Sequence, residues 1–138
     1  MAQLLFVDPD LDSLTRHVGL ARQLGHEAIG ASTGMKAIEE LSRNPGIALI
    51  VSELDLPDGT FEQLFQSIRS SPHYQRVPFL LLTNEIHSTR LIRLIAHGVE
   101  NSAKKPISET DFRFLIARGL KCRTNRQLAG VLEKSQVA

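Results

Sequence analysis

The chain has 138 residues, of which 42% are hydrophobic and 22% charged, a composition typical of one globular domain. Its single cysteine, Cys122, excludes a disulfide within the chain and favours a reducing compartment. Sixteen basic and fifteen acidic residues leave a net charge of +1, which indicates neither nucleic acid nor an anionic membrane as partner. The amino terminus lacks the basic flank and apolar length of a signal peptide, and no apolar run approaches the roughly 20 residues needed to span a bilayer. We therefore expect a cytoplasmic domain.

Short apolar runs alternate with helical patterns along the chain, which predicts five pairs of a β-strand and an α-helix. The predicted strands cover residues 4–7, 28–31, 47–51, 79–82 and 100–104. The first four helices are predicted to end at Gly25, near Asn44, before Pro72 and at Gly98. Ser108, with Asp111 three residues later, is typical of the start of a fifth helix.

This alternation favours a parallel sheet with helices on both faces. In such folds a functional site lies beyond the carboxyl ends of the strands. The residues predicted to meet there are 8–10, 52–55, 83–84 and 104–105.

Four of the strand-end segments resemble the receiver domain of bacterial two-component response regulators, including the chemotaxis receivers. They are LLFVDPD, IVSELDLPDG, FLLLTN and SAKKP, and the resemblance covers about residues 3–121. It implies a flavodoxin-like, doubly wound α/β fold in three layers, with a five-stranded parallel sheet of order 2-1-3-4-5 and five helices. Residues 1–121 are then the receiver domain, and 122–138 a C-terminal helical extension or linker.

The resemblance also implies a chemistry, the transfer of a phosphoryl group from a histidine kinase to an aspartate after the third strand. Acids after the first strand help to bind Mg²⁺, while a hydroxyl after the fourth strand and a lysine after the fifth bind the phosphoryl oxygens. Asp8 matches the first acid, Thr83 the hydroxyl, and Lys105 the lysine that precedes a proline.

Three positions depart from the family pattern. The second acid is replaced by Pro9, which has no ligand atom. The acceptor position holds Glu53, whose carboxylate lies roughly 1.5 Å further from the backbone than that of aspartate and so loses the geometry for in-line attack. The position of the aromatic switch residue, three before the lysine, holds Ser102. These departures predict a degenerate receiver, or pseudo-receiver.

Two interpretations of Glu53 remain open. In one, its carboxylate mimics a phosphoryl group by reaching toward Lys105 and Thr83. In the other, it only forms an ion pair with Lys105. Asp55 is the alternative acceptor, since residues two apart share one face of a strand. No cofactor is expected, or weak Mg²⁺ binding by Asp8 with Glu53 and Asp10.

The sequence thus predicts a signalling module and not an enzyme. By resemblance, the face formed by helix 4, strand 5 and helix 5 contacts a protein partner, either a histidine kinase or an effector domain. An apolar excess on helix 4 supports such a contact or a homodimer; it comprises Leu91, Ile92, Leu94, Ile95 and Ala96.

Two alternatives to the pseudo-receiver stay open. One is a phosphorylatable, Mg²⁺-dependent receiver that uses Asp55, and the other is the regulatory domain of a larger effector enzyme or transcription factor. The basic residues near the carboxyl end of the sequence are predicted to form a solvated helix face and not a nucleic-acid surface. No membrane contact is predicted. The five histidines follow no metal-ligand spacing and are predicted to be surface or packing residues.

Overall fold

The computed structural model describes residues 2–84 and 89–121, which form a five-stranded sheet with helices on both faces. The strands are β1 (Gln3–Val7), β2 (Glu27–Ala31), β3 (Ile47–Ser52), β4 (Phe79–Thr83) and β5 (Asn101–Lys104). The helices are α1 (Leu11–Gln23), α2 (Gly34–Arg43), α3 (Phe61–Arg69), α4 (Thr89–Ala96) and α5 (109–121). The predicted extension 122–138, with Cys122, lies outside the described residues. In the described ranges no helix has the length and apolarity needed to span a membrane.

The strand order is β2-β1-β3-β4-β5, and every neighbouring pair is parallel. This confirms the predicted doubly wound α/β fold and its strand order. A hairpin with strands of two residues each follows β3 and was not predicted; in it, Asp55–Leu56 pairs with Gly59–Thr60. Strands this short carry no readable alternation of apolar and polar residues.

The sheet separates two apolar cores because successive side chains of a strand point to opposite faces. In β1, Leu5 and Val7 pack with α2, α3 and α4, whereas Leu4 and Phe6 pack with α1 and α5. β3 and β4 are buried along their whole lengths, as expected for central strands covered on both faces. The central strands are therefore held rigidly, and the residues that follow them are fixed in position.

Local sequence sets where several helices begin and end. Asp10 caps α1, since its Oδ1 accepts hydrogen bonds from the backbone N–H groups of Asp12 and Ser13 at 3.1 and 3.3 Å. Ser108 caps α5 in the same way, as predicted, through the N–H of Asp111. Gly25 and Gly98 follow α1 and α4 with φ of 91° and 115°, which is the left-handed conformation that glycine allows at a helix end.

Candidate functional site: an acidic pocket closed by a lysine

Four of the predicted strand-end residues lie together at the carboxyl edge of the sheet. Asp8 follows β1, Glu53 follows β3, and Thr83 ends β4, and all three are buried. Lys105 follows β5, and its backbone N–H donates to the carbonyl of Thr83 at 2.9 Å. The parallel register brings these positions together because β1, β3, β4 and β5 are consecutive neighbours in the sheet.

The ammonium group of Lys105 lies between the two carboxylates. Its Nζ is 2.7 Å from Asp8 Oδ2 and 2.6 Å from Glu53 Oε2. A third contact joins Nζ to the hydroxyl Oγ of Ser13, at 3.3 Å. A lysine ammonium has three N–H donors, so these three oxygens satisfy all of them.

The carboxylate oxygens of Asp8 and Glu53 likewise accept hydrogen bonds from within the chain. Asp8 Oδ1 accepts a hydrogen bond from the backbone N–H of Asp10 at 2.9 Å, and Oδ2 accepts one from Ser13 Oγ at 2.8 Å as well as that from Lys105. Glu53 Oε1 accepts one from the backbone N–H of Leu54 at 2.8 Å. Each of the four carboxylate oxygens therefore has a donor within the chain.

The charge state of Lys105 follows from its neighbours. Burial by itself would lower its pKa, but the hydrogen bonds and charges of Asp8 and Glu53 outweigh that effect and raise the pKa above the ordinary 10.5. The side chain is thus an ammonium at neutral pH. Because the folded-state pKa is raised, its stabilising contribution is present at neutral pH and is lost only as the pH rises through that value.

His17 lies beneath the pocket, and its burial lowers its pKa to about 4, with the charges of Arg16 and Lys105 acting in the same direction. Its Nδ1 is 3.4 Å from Ser13 Oγ, and its ring stacks on Phe112 of α5 with centroids 5.7 Å apart. A surface or packing role was predicted for His17 from the sequence, but its contact with the pocket was not. The spacing of Ser13 and His17, four residues apart and shortly after Asp8, was the available signal.

The residues present do not fit a magnesium site of the family type. Mg²⁺ needs octahedral coordination by oxygen atoms. Pro9 supplies none, Asp10 is turned to the start of α1 as its cap, and Asp8 and Glu53 share the Lys105 ammonium. Within residues 2–84 and 89–121, no cluster of three His, Cys, Asp or Glu side chains is placed to hold a metal ion.

Asp55, the alternative acceptor, lies outside the pocket on the hairpin, where its side chain is exposed. Its Oδ1 is 3.0 Å from Nη1 of Arg90 on α4. The same guanidinium is 2.7 Å from Glu62 of α3 and donates to the carbonyl of Leu54 at 3.2 Å. This arginine bridge was not predicted, since it joins residues 28 to 36 positions apart in the sequence.

The outer face of α4, β5 and α5 carries exposed apolar side chains. On α4, Leu91 and Leu94 are buried, whereas Ile92 and Ile95 are exposed. Phe114 of α5 is also exposed, beside an open groove of about 370 Å³ that Ser102 of β5 helps to line. Ser102, which has a small side chain, occupies the position at which the resemblance implies an aromatic switch residue.

Curated proteins similar in sequence include plant response regulators, while no family model matches the chain. Two-component response regulator ORR5 of Oryza sativa subsp. japonica is 25% identical over 103 residues, which cover 75% of this chain and 77% of that protein. Two-component response regulator ORR11 of Oryza sativa subsp. indica is 24% identical over 102 residues, covering 74% and 69% respectively.

Solved structures share the fold at lower sequence identity. A response regulator receiver domain protein from Clostridium thermocellum superposes with a TM-score of 0.81 at 17% identity, covering 90% of this chain and 98% of that one. The chemotaxis response regulator CheY4 of Vibrio cholerae gives 0.80 at 22% identity, with 87% and 99% covered. NtrX from Brucella abortus gives 0.86 at 18% identity, with 96% of this chain but 30% of that one covered. The chain is thus similar in sequence to two-component response regulators and has the fold of solved receiver domains.

Proposed function

We propose that this receiver domain signals by protein–protein contact without ordinary aspartyl phosphorylation and is not itself an enzyme. The observation that carries the proposal is the Lys105 ammonium, which lies within 2.7 Å of both Asp8 and Glu53. In a receiver of the usual kind that lysine binds a phosphoryl oxygen. Here its three donors are already satisfied inside the chain.

The chemistry of phosphoryl transfer is unfavourable in this pocket for two reasons. Transfer needs a carboxylate aligned with the leaving group, and both oxygens of Glu53 are held by hydrogen bonds from Leu54 and Lys105. It also needs cationic stabilisation of three developing anionic oxygens, which the family obtains from Mg²⁺. The only cation in the described pocket, Lys105, is neutralised by two carboxylates.

Glu53 then serves as a built-in anionic partner of Lys105, in the role that a phosphoryl group has in a modified receiver. Its side chain reaches past the end of β3 and meets the lysine at the end of β5, two strands away. The simpler interpretation, a structural ion pair with no signalling consequence, predicts that Glu53→Gln leaves partner binding unchanged.

The partner surface that we favour is the face of α4, β5 and α5, with a histidine kinase or an effector domain as the partner. It exposes Ile92, Ile95 and Phe114, an apolar set that water disfavours. The alternative occupant of this face is a second copy of the chain. Equilibrium sedimentation of the wild type and of Ile92→Asp distinguishes a homodimer from a monomer that binds another protein. The NtrX similarity, which covers 30% of that protein, supports a role as the regulatory part of a longer protein. A cytoplasmic location accords with both kinds of partner.

Intact mass spectrometry after incubation with Mg²⁺ and acetyl phosphate tests the proposal. We expect the mass of the wild-type chain to be unchanged, while a phosphorylatable receiver treated in parallel gains the phosphoryl group. A stable gain of about 80 Da in the wild type would overturn the proposal, because an acyl phosphate requires a correctly placed carboxylate. Loss of that gain in Asp55→Asn, but not in Glu53→Gln, would identify the exposed hairpin aspartate as a displaced acceptor.

A further inference from the structure

We infer that one face of α1, formed by Ser13, Arg16 and His17, consists of positioning residues that hold Lys105 between Asp8 and Glu53. The inference rests on the proposed function, since it states what keeps that pocket closed. The three residues have the spacing i, i+3, i+4, which places them side by side on a helix. Each of them contacts a different point of the segment that begins with Lys105 and continues into α5.

Ser13 makes the contact nearest to the chemistry. Its hydroxyl donates to Asp8 Oδ2 at 2.8 Å and accepts from Lys105 Nζ at 3.3 Å. It thereby supplies the third oxygen around the ammonium, in a chain where Pro9 stands at the position of the second acid expected from the family pattern. A buried ammonium N–H without an acceptor is unfavourable, so this hydroxyl favours the closed arrangement.

Arg16 fixes the backbone that follows the lysine. Its Nη2 donates to the carbonyl of Ile107 at 2.7 Å, across 91 positions of the sequence. A hydrogen bond from a charged donor to a carbonyl is stronger than a neutral one. The loop between β5 and α5 is therefore tied to α1 two residues beyond Lys105.

His17 makes the third contact, with α5 itself. Its ring lies nearly parallel to that of Phe112, at an interplanar angle of 9°, and the Phe112 ring in turn stacks on Phe6 of β1. Burial lowers the pKa of His17 to about 4, so the stacked imidazole is neutral at neutral pH. The side chains of Ser13, Arg16 and His17 thus contact the 105–112 segment at three separate points.

The signal of the Lys105 ammonium in ¹⁵N NMR tests the inference, since such protons are observed only when buried and hydrogen-bonded. Lys105→Arg assigns the signal by removing it. We expect Ser13→Ala to speed proton exchange at Lys105 Nζ at least tenfold, and Ser13→Thr, which keeps the hydroxyl, to restore slow exchange. Ser42→Ala is the matched control, because the Ser42 hydroxyl also donates a hydrogen bond, to the carbonyl of Glu39, but lies on α2, away from the pocket.

Arg16→Ala extends the test to the backbone. We expect faster amide hydrogen exchange over residues 107–112 than in Ser42→Ala. The free energy of unfolding measured in urea should be the same for the two variants. Ammonium exchange that is the same in Ser13→Ala as in Ser42→Ala would overturn the role of Ser13, and unchanged amide exchange in Arg16→Ala would overturn that of Arg16. Phosphorylation of the wild type would instead refute the proposed function and leave these measurements interpretable.

Discussion

Two clusters on either side of the loop after β3 share one composition, a single cation between two carboxylates. The pocket cluster consists of Lys105 with Asp8 and Glu53, whose side chains are 11%, 7% and 10% exposed. The surface cluster consists of Arg90 with Asp55 and Glu62, whose side chains are 33%, 76% and 44% exposed. The cation–carboxylate distances are similar, at 2.6–3.0 Å.

Burial, and not geometry, makes these clusters different. Water and salt screen the exposed pairs, so each contributes at most about 1 kcal/mol. In the pocket the charges have lost their water, and removing one partner leaves the others uncompensated. We therefore expect the pocket cluster to define one fixed arrangement of the strand ends, and the surface cluster to be an adjustable link from the hairpin to α3 and α4.

Removal of the pocket cation should have the largest effect. Lys105→Met keeps the length of the side chain but leaves two buried carboxylates without their shared donor, and we expect the free energy of unfolding to fall by about 3–5 kcal/mol. Urea denaturation at neutral pH measures the change. A loss of less than about 1 kcal/mol would show that the pocket charges are solvated like those at the surface.

Acid should weaken the region around the pocket through His17. Burial, aided by the charges of Arg16 and Lys105 and opposed by Asp8 and Asp10, holds its pKa at about 4 against an ordinary 6.5. Between these values the unfolded chain binds more protons than the folded one, so the free energy of unfolding falls as pH drops from 6.5 to 4, by about 3 kcal/mol at most.

The matched variant for this acid effect is His17→Phe, which retains an aromatic ring beside Phe112 but cannot titrate. Urea denaturation at several pH values gives the free energy of unfolding of both proteins. The difference between their pH dependences is the contribution of His17, without those of His26 and the carboxylates. An unchanged pH dependence in the variant would mean that His17 is accessible to water in the folded protein.

Loss of the surface cation should have the smallest effect. We expect Arg90→Ala to lower the free energy of unfolding by about 1 kcal/mol or less, and 1 M NaCl to remove most of that difference, because salt screens exposed charges. The same salt series on Lys105→Met should leave its larger deficit nearly unchanged. If both variants respond alike to salt, the contrast between the two clusters is wrong.

The sequence alone was sufficient to predict the sheet and the strand-end residues. Parallel strands bring their carboxyl ends to one edge, so Asp8, Glu53, Thr83 and Lys105 could be placed together from their positions after apolar runs. The departure at Glu53 was likewise readable from the sequence, by comparison with the family pattern that the resemblance implies.

The remaining contacts of the site depend on tertiary packing. Ser13 and His17 reach the pocket because α1 packs against α5, and no local pattern reports which face of a helix meets a distant loop. The Arg90 bridge joins α4 to α3 and the hairpin for the same reason. Asp10, predicted as a weak metal ligand with Asp8, caps α1, a role that its place just before a helix favours.

A structure of crystals grown with Mg²⁺ in excess is the most direct test. It shows whether the Lys105 ammonium alone occupies the pocket in which the family would bind a metal ion and a phosphoryl group. We predict Lys105 Nζ within hydrogen-bonding distance of both Asp8 and Glu53, with Ser13 as its third acceptor and no metal between the carboxylates. A magnesium ion coordinated by Asp8 and Glu53, with the lysine displaced toward solvent, would contradict the pseudo-receiver.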